Sequence, residues 1–284
     1  MNLIDLFKKA ITGGEWSVAY RDNEGQWETA FAPDKQWCAD PFVIKNGEDH
    51  YIFVEQYLKT KEKGCIGYFR FIDGVPINQG VIIENNYHMS YPDVFCYKDR
   101  FYMIPETSAN STVDLYMAER FPDKWTKIKT LIQGEKLVDS TVYEDKDGFY
   151  LISYKLSGNE VRVYSLDMER KEVDFISKKQ YKKNIGRPGG RLFMTDGRLM
   201  RPAQDCSRKY GETLIIYQVD ALSLKGELIE HEVRKVRASE LKLEGNANRV
   251  HQYTFDNKYE VVDVFQEKIN LLHVPQVYLR SRKK

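Results

Sequence analysis

Trp37-Cys38-Ala39-Asp40-Pro41-Phe42-Val43-Ile44, a polar turn, then Tyr51-Ile52-Phe53-Val54-Glu55: this stretch returns along the chain. Ser90-Tyr91-Pro92-Asp93-Val94-Phe95 precedes Tyr102-Met103-Ile104-Pro105-Glu106. Val138-Asp139-Ser140-Thr141-Val142-Tyr143 precedes Tyr150-Leu151-Ile152, and Arg187-Pro188-Gly189-Gly190-Arg191-Leu192-Phe193 precedes Leu199-Met200. A weaker copy runs from His251-Gln252-Tyr253 to Tyr259-Glu260-Val261-Val262. Aligned on Tyr51, Tyr102, Tyr150, Leu199 and Tyr259, the copies recur at about 50 residues, which is the period of a propeller blade. Each copy is strand, tight polar turn, strand, and Asp147-Gly148 and Asp196-Gly197 mark two of the turns. The pattern predicts an all-β, five-bladed propeller of four-stranded antiparallel blades.

The 284 residues are expected to form one domain over 1–284, since all-β domains of this size fold without splitting. Apolar Leu3, Ile4, Leu6, Phe7 and Ile11 predict a short N-terminal helix over 3–11. A last strand is expected over Val274–Leu279. Propellers close by pairing chain ends in one blade, so residues 16–31 are expected to share a blade with the C-terminal strands.

Lys and Arg number 43 against 42 Asp and Glu, so no overall field recruits nucleic acid or an anionic membrane. No stretch has the apolar length of a membrane span. No signal-peptide pattern precedes the repeats, and Cys38, Cys65, Cys96 and Cys206 form no CxxC pair. The expectation is a soluble, cytoplasmic protein with free thiols. HExxH, Gly-rich phosphate loop and GxSxG patterns are absent, so no cofactor or metal is expected.

The first strand of a propeller blade lines the axial channel. The repeat therefore places Asp40, Asp93, Asp139, Arg187, Arg191 and His251 around one funnel. Trp37 and Tyr91 stand beside strand openings, where they could meet a sugar ring. Glu55 and Glu106 end second strands and either face the funnel mouth or cap a strand. Arg187, Arg191, Arg201 and Arg208, with Asp205 among them, either pair with acids or hold an anion through planar guanidinium forks.

Ala39-Asp40-Pro41-Phe42-Val43-Ile44 and Asp139-Ser140-Thr141-Val142-Tyr143 resemble blade openings of the five-bladed glycosidases, the family 43 arabinosidases and xylosidases and their fructosidase-like relatives. That resemblance implies Asp40 as general base and Asp139 as the residue that tunes the acid. The Glu it implies as general acid in the next blade is missing, because Arg187-Pro188-Gly189-Gly190-Arg191 stands there. Glu106 and Glu55 are the carboxyls left to replace it, with Glu106 named beside Asp40 and Asp139 as catalytic.

A second resemblance covers nearly the whole chain. Tyr102-Met103-Ile104-Pro105-Glu106-Thr107-Ser108, Arg187-Pro188-Gly189-Gly190-Arg191-Leu192-Phe193 and Arg201-Pro202-Ala203-Gln204-Asp205-Cys206-Ser207-Arg208 are similar to the N-terminal propeller of plant glucosamine inositolphosphorylceramide transferases and stand-alone bacterial relatives. It implies a fold and a sugar context. Three functions stand open: a glycosidase-like enzyme of surface polysaccharide or glycolipid metabolism, a glycan- or sugar-phosphate-binding module beside a separate glycosyltransferase, and a protein scaffold. The arginines predict an anionic sugar, phosphorylated or uronic, as ligand.

Overall fold

The computed structural model describes residues 12–22, 25–223 and 226–269. The helix expected over 3–11 and the strand expected over 274–279 lie outside them. Five antiparallel sheets form a ring. Blade 1 holds the four consecutive strands from Gln36 to Ile83, blade 2 those from Ser90 to Gln133, and blade 3 those from Val138 to Gln180. Blade 4 runs from Arg187 to Val236, with its innermost strand split into Arg187–Pro188 and Phe193–Thr195.

Blade 5 is built from both ends of the described chain. Ala247–Phe255 and Tyr259–Ile269 form its inner half, and Thr12–Asp22 and Glu28–Ala30 its outer half. Val18 pairs with both Asp263 and Ala30, which realises the expected closure.

The second strand of each blade is apolar on both faces because both faces pack against neighbouring blades. Tyr51 to Val54 are all buried. Hydrophobic clusters accordingly fill the wedges between blades: Tyr51, Phe53 and Ile66 meet Met103 and Tyr116 between blades 1 and 2, and Tyr102 and Ile104 meet Leu151 and Tyr164 between blades 2 and 3. Outer strands turn polar, as in Lys124–Gln133, because only one edge of each is covered. The hairpin at Asp73-Gly74 takes positive φ at both residues, 49° and 80°, the two-residue turn whose twist matches its strands. All four cysteines are unpaired.

Candidate functional site

Three residues at the channel share one backbone anomaly. Asp40, Tyr91 and Asp139 have φ of 51°, 45° and 50°. Left-handed backbone at residues other than glycine costs of order 1–3 kcal/mol and collects at functional sites. Each sits in a bulge of its first strand, where pairing skips from Ala39 to Phe42, Ser90 to Asp93 and Val138 to Thr141. A bulge re-aims a side chain. Here it brings two of the three, Asp40 and Asp139, into one funnel.

The register corrects one sequence equivalence. Asp40 corresponds to Tyr91 and Asp139, whereas Asp93 matches Phe42 and Thr141, further along the strand. Asp93 is wholly buried, accepts Val142 N–H at 2.7 Å, and faces Arg191 Nε at 2.8 Å. Arg191 also donates to the carbonyls of Val43, at 2.9 Å, and Val94. Tyr91 is buried too, its hydroxyl 2.7 Å from Thr141 Oγ1 and accepting Gly190 N–H at 2.9 Å. Asp93, Arg191 and Tyr91 thus pack the channel beneath the funnel and are not at its mouth, and Tyr91 offers no free ring face to a sugar.

Above this plug lies a cluster of carboxyls. Asp40 Oδ2 accepts Tyr91 N–H at 3.1 Å, and its Oδ1 lies 3.3 Å from His251 Nε2. His251 Nδ1 is 2.7 Å from Asp263, which also accepts the Asp40 N–H at 2.9 Å. Trp16 stacks on the His251 ring at 4.0 Å. Asp139 receives Arg187 through Nε and, at 3.0 Å, Nη2, and Gln204 Nε2 at 2.7 Å. Glu106 accepts Ser108 Oγ–H at 2.7 Å and Asp139 N–H at 3.3 Å, with Arg187 Nη2 3.6 Å away. The Glu106 carboxyl therefore stands directly against the backbone of Asp139.

Glu55 is 6% exposed and its Oε1 has no hydrogen-bond partner, although His88 Nε2 lies 3.2 Å away. Tyr210 projects over the cluster: its hydroxyl is 3.1 Å from His251 Nε2, and the Arg187 guanidinium lies 5.2 Å from its ring centre.

Few cations serve these acids, and burial disfavours their charged forms. Burial, with Asp139 adding to it, pushes Glu106 up to about 8 despite Arg187. Burial, with Asp139 and Asp263 adding, pushes Asp40 up to about 7 against the pull of His251. Burial, then Asp40 and Glu106, raises Glu55 well above the carboxyl range. His251 is raised: burial opposes its charge, but Asp263 and Asp40 outweigh it. Arg187 pulls the Glu106 carboxyl down, but burial and the neighbouring Asp139 outweigh it.

The remaining sequence candidates fall elsewhere. Arg201 is sealed in blade 4 against Glu230, at 2.7 Å from both Nε and Nη2. Arg208 is exposed and pairs with Glu212, and Asp205 pairs with Lys235 at 2.9 Å. Each of the three pairs with a group outside the Asp40, Asp139 and Glu106 cluster. Trp37 lies at the rim of blade 1, stacked on Tyr57 at 4.5 Å, and touches none of the carboxyls. Asp263 escaped the sequence reading. The register places it level with Val54 and Pro105, not with Glu55 and Glu106, so the repeat carried no signal for it.

Asp40, His251 and Asp263 are the one group among the described residues whose donor atoms, within 4.8 Å of one another, could face a single cation. Their bonds to each other are already made, and an ion would have to break the His251–Asp263 bond. A cleft of about 450 Å³ between blades 4 and 5, lined by Trp27, Phe193, Leu214 and Tyr253, holds none of these groups. Chemistry rather than volume picks out the funnel.

The ring of five sheets defines a fold class, the five-bladed β-propellers. The fold matches an exo-β-1,3-galactanase from Clostridium thermocellum with a TM-score of 0.58 at 14% identity, covering 86% of this chain and 56% of that one. It matches the RS223 β-xylosidase with a TM-score of 0.60 at 11% identity, covering 82% and 92%. Within that class the chain belongs to the family described as glucosamine inositolphosphorylceramide transferase 1, N-terminal, whose model matches residues 16–261. It is 32% identical over 234 residues to glucosamine inositolphosphorylceramide transferase 1 of Arabidopsis thaliana and 30% over 199 residues to that of Oryza sativa subsp. indica. The matches cover 78% and 66% of this chain but only 30% and 27% of those transferases. The family and the fold are thereby fixed, and the chain spans under a third of the length of those transferases.

Proposed function

We propose that the funnel binds one sugar unit of a glycan and cleaves its glycosidic bond, with Glu106 as general acid, Asp40 as base and Asp139 positioning the acid. The observation that carries this is the buried Glu106 carboxyl set against Asp139, whose backbone N–H it accepts at 3.3 Å. Arg187 and Gln204 hold Asp139, and burial keeps Glu106 protonated up to about 8, poised to donate its proton. Asp40, raised only to about 7, is deprotonated in a substantial fraction at neutral pH. Two carboxyls pushed to different states at one site are the requirement for glycoside hydrolysis. Glu106 from blade 2 thus supplies the acid that Pro188-Gly189-Gly190 cannot supply from blade 4.

The ligand in the funnel is a neutral or amino sugar. An anionic sugar needs free guanidinium groups, and Arg187, Arg191, Arg201 and Arg208 are each engaged by a carboxylate. Buried acids accept bonds from hydroxyl and ammonium groups. The glucosamine in the relatives' name fits that chemistry. A separate glycosyltransferase as partner fits a chain that matches under a third of those transferases.

Calorimetry with glucose, glucosamine, glucose 1-phosphate and glucuronic acid, together with a screen of aryl glycosides, tests the reading. Binding of the neutral or amino member and hydrolysis abolished by Glu106→Gln are expected. Binding of the anionic members alone, lost in Arg187→Ala, would return the arginines to the ligand. Binding without hydrolysis of any glycoside would leave a sugar-binding module, the reading favoured by the near-complete burial of Asp40 and Glu55.

A further inference from the structure

Glu55 and Glu106 occupy one position in successive blades: Ala39 pairs with Glu55 as Ser90 pairs with Glu106. Their partners differ. Glu106 takes the hydroxyl of Ser108, two residues on, at 2.7 Å, and the N–H of Asp139, the bulge residue of the next blade, at 3.3 Å. Two residues after Glu55 comes Tyr57, whose ring stacks on Trp37 instead. The N–H that corresponds to that of Asp139 belongs to Tyr91, and Asp40 Oδ2 accepts it at 3.1 Å. Both donors that serve Glu106 are therefore lost to Glu55, and no other hydrogen bond reaches its Oε1.

A polar group so deeply buried is costly to leave unpaired, and this one is held in place. His88 Nδ1 accepts the Gly64 N–H at 3.0 Å, which fixes the ring proton on Nε2. Nε2 faces Glu55 Oε1 at 3.2 Å. A Cβ at Gly64 would lie 2.5 Å from Glu55 Oε1 and 2.7 Å from His88 Cε1, so glycine there leaves room for both side chains. Asp40 and Glu106 are the charges that act most on Glu55, which sets it in the funnel with them. Burial raises its pKa well above the carboxyl range, so at neutral pH it is a carboxylic acid, with one O–H to give and lone pairs to accept.

We propose that Glu55 is a specificity-determining residue of the funnel, giving and accepting hydrogen bonds with two adjacent hydroxyls of the bound sugar while His88 positions its carboxyl. The proposal rests on the funnel as a sugar site, but not on cleavage. It narrows the ligand to a ring with a free vicinal diol, since adjacent hydroxyls both give and accept, as a carboxylic acid does. A ring lacking one of them would leave Glu55 unpaired in a closed site. Such a loss discriminates more sharply than a lost apolar contact.

Calorimetry of the full chain with glucose, galactose and mannose, and with the monodeoxy forms of whichever binds, tests this. One deoxy form should bind at least tenfold more weakly than its parent sugar. Glu55→Ala should bring the two affinities within about twofold, as a removed pairwise contact requires. Glu55→Gln, which keeps a donor and an acceptor, should restore most of the difference. His88→Ala removes a ring that is 41% exposed, so it keeps the fold even where Glu55→Ala does not, and it should weaken the same discrimination. A merely structural Glu55 would change stability without changing the ratio between the two sugars. This dependence in a protein that cleaves nothing would uphold the proposal and sink the glycosidase reading. A ratio unchanged in Glu55→Ala or in His88→Ala would overturn the proposal alone, and no binding of any sugar by the parent protein would overturn both.

Discussion

Arg191 of blade 4 reaches Asp93 of blade 2 across the axis, Nε to Oδ1 at 2.8 Å. With its bonds to the Val43 and Val94 carbonyls, it joins three blades by one side chain. Removing one partner of a buried pair strands the other, at about 3–5 kcal/mol. Arg191 is 24% exposed, so the lower end applies. Arg191→Ala is expected to destabilise by about 3 kcal/mol in chemical denaturation, and adding Asp93→Asn should recover part of it. An additive double variant would mean the pair is not coupled.

Activity should follow a narrow bell in pH. The base must be deprotonated, so the rate climbs as Asp40 titrates near 7. The acid must keep its proton, so the rate falls as Glu106 titrates near 8. The two limbs belong to the coupled cluster rather than to single residues. A pH–rate profile on any cleaved aryl glycoside checks this, and a flat profile from pH 5 to 9 would exclude the pair.

Glu106→Gln should lower kcat by about 10²–10⁴ on substrates with poor leaving groups, the usual worth of a general acid. The loss should shrink on a dinitrophenyl glycoside, whose leaving group needs no proton. Asp40→Asn should give a loss that does not depend on the leaving group. Equal losses for both variants on both substrates would reverse the assignment.

Stability should fall as pH rises. Glu106 and Glu55 hold their protons in the folded chain to higher pH than in the unfolded one, where carboxyls titrate near 4. Between those values the unfolded state sheds protons that the folded state keeps, so unfolding becomes easier with each step upward. For Glu106 the window runs from about 4.5 to about 8. Glu55→Gln is expected to raise the melting temperature at pH 8 and to change it little at pH 4. A variant less stable at both would show that the Glu55 charge is compensated in the fold.

The blades were legible because hairpin phrases, turn residues and apolar second strands are local signals that repeat. Asp40, Asp139 and Glu106 were legible for the same reason. What the sequence hid was direction. A left-handed residue in a bulge leaves no mark unless it is glycine, so Asp93 looked like the counterpart of Asp40 when Tyr91 occupies that place. Pairing hid the arginines: Arg187, Arg191, Arg201 and Arg208 are close in sequence, yet each meets a carboxylate on a different element. Asp263 stands where the other copies carry Val54 and Pro105, so the repeat gave no sign of it.

The blade that closes the ring also completes the funnel. His251 and Asp263 lie on its inner strands, and Trp16, from the opposite end of the chain, stacks on His251. During synthesis, Asp40 emerges from the ribosome more than 200 residues before two of the groups that hold it, His251 and Asp263. Until blade 5 forms, Asp40 lacks the partners that His251 and Asp263 supply. The site matures in a single late event, and a chain halted short of it would have no working half.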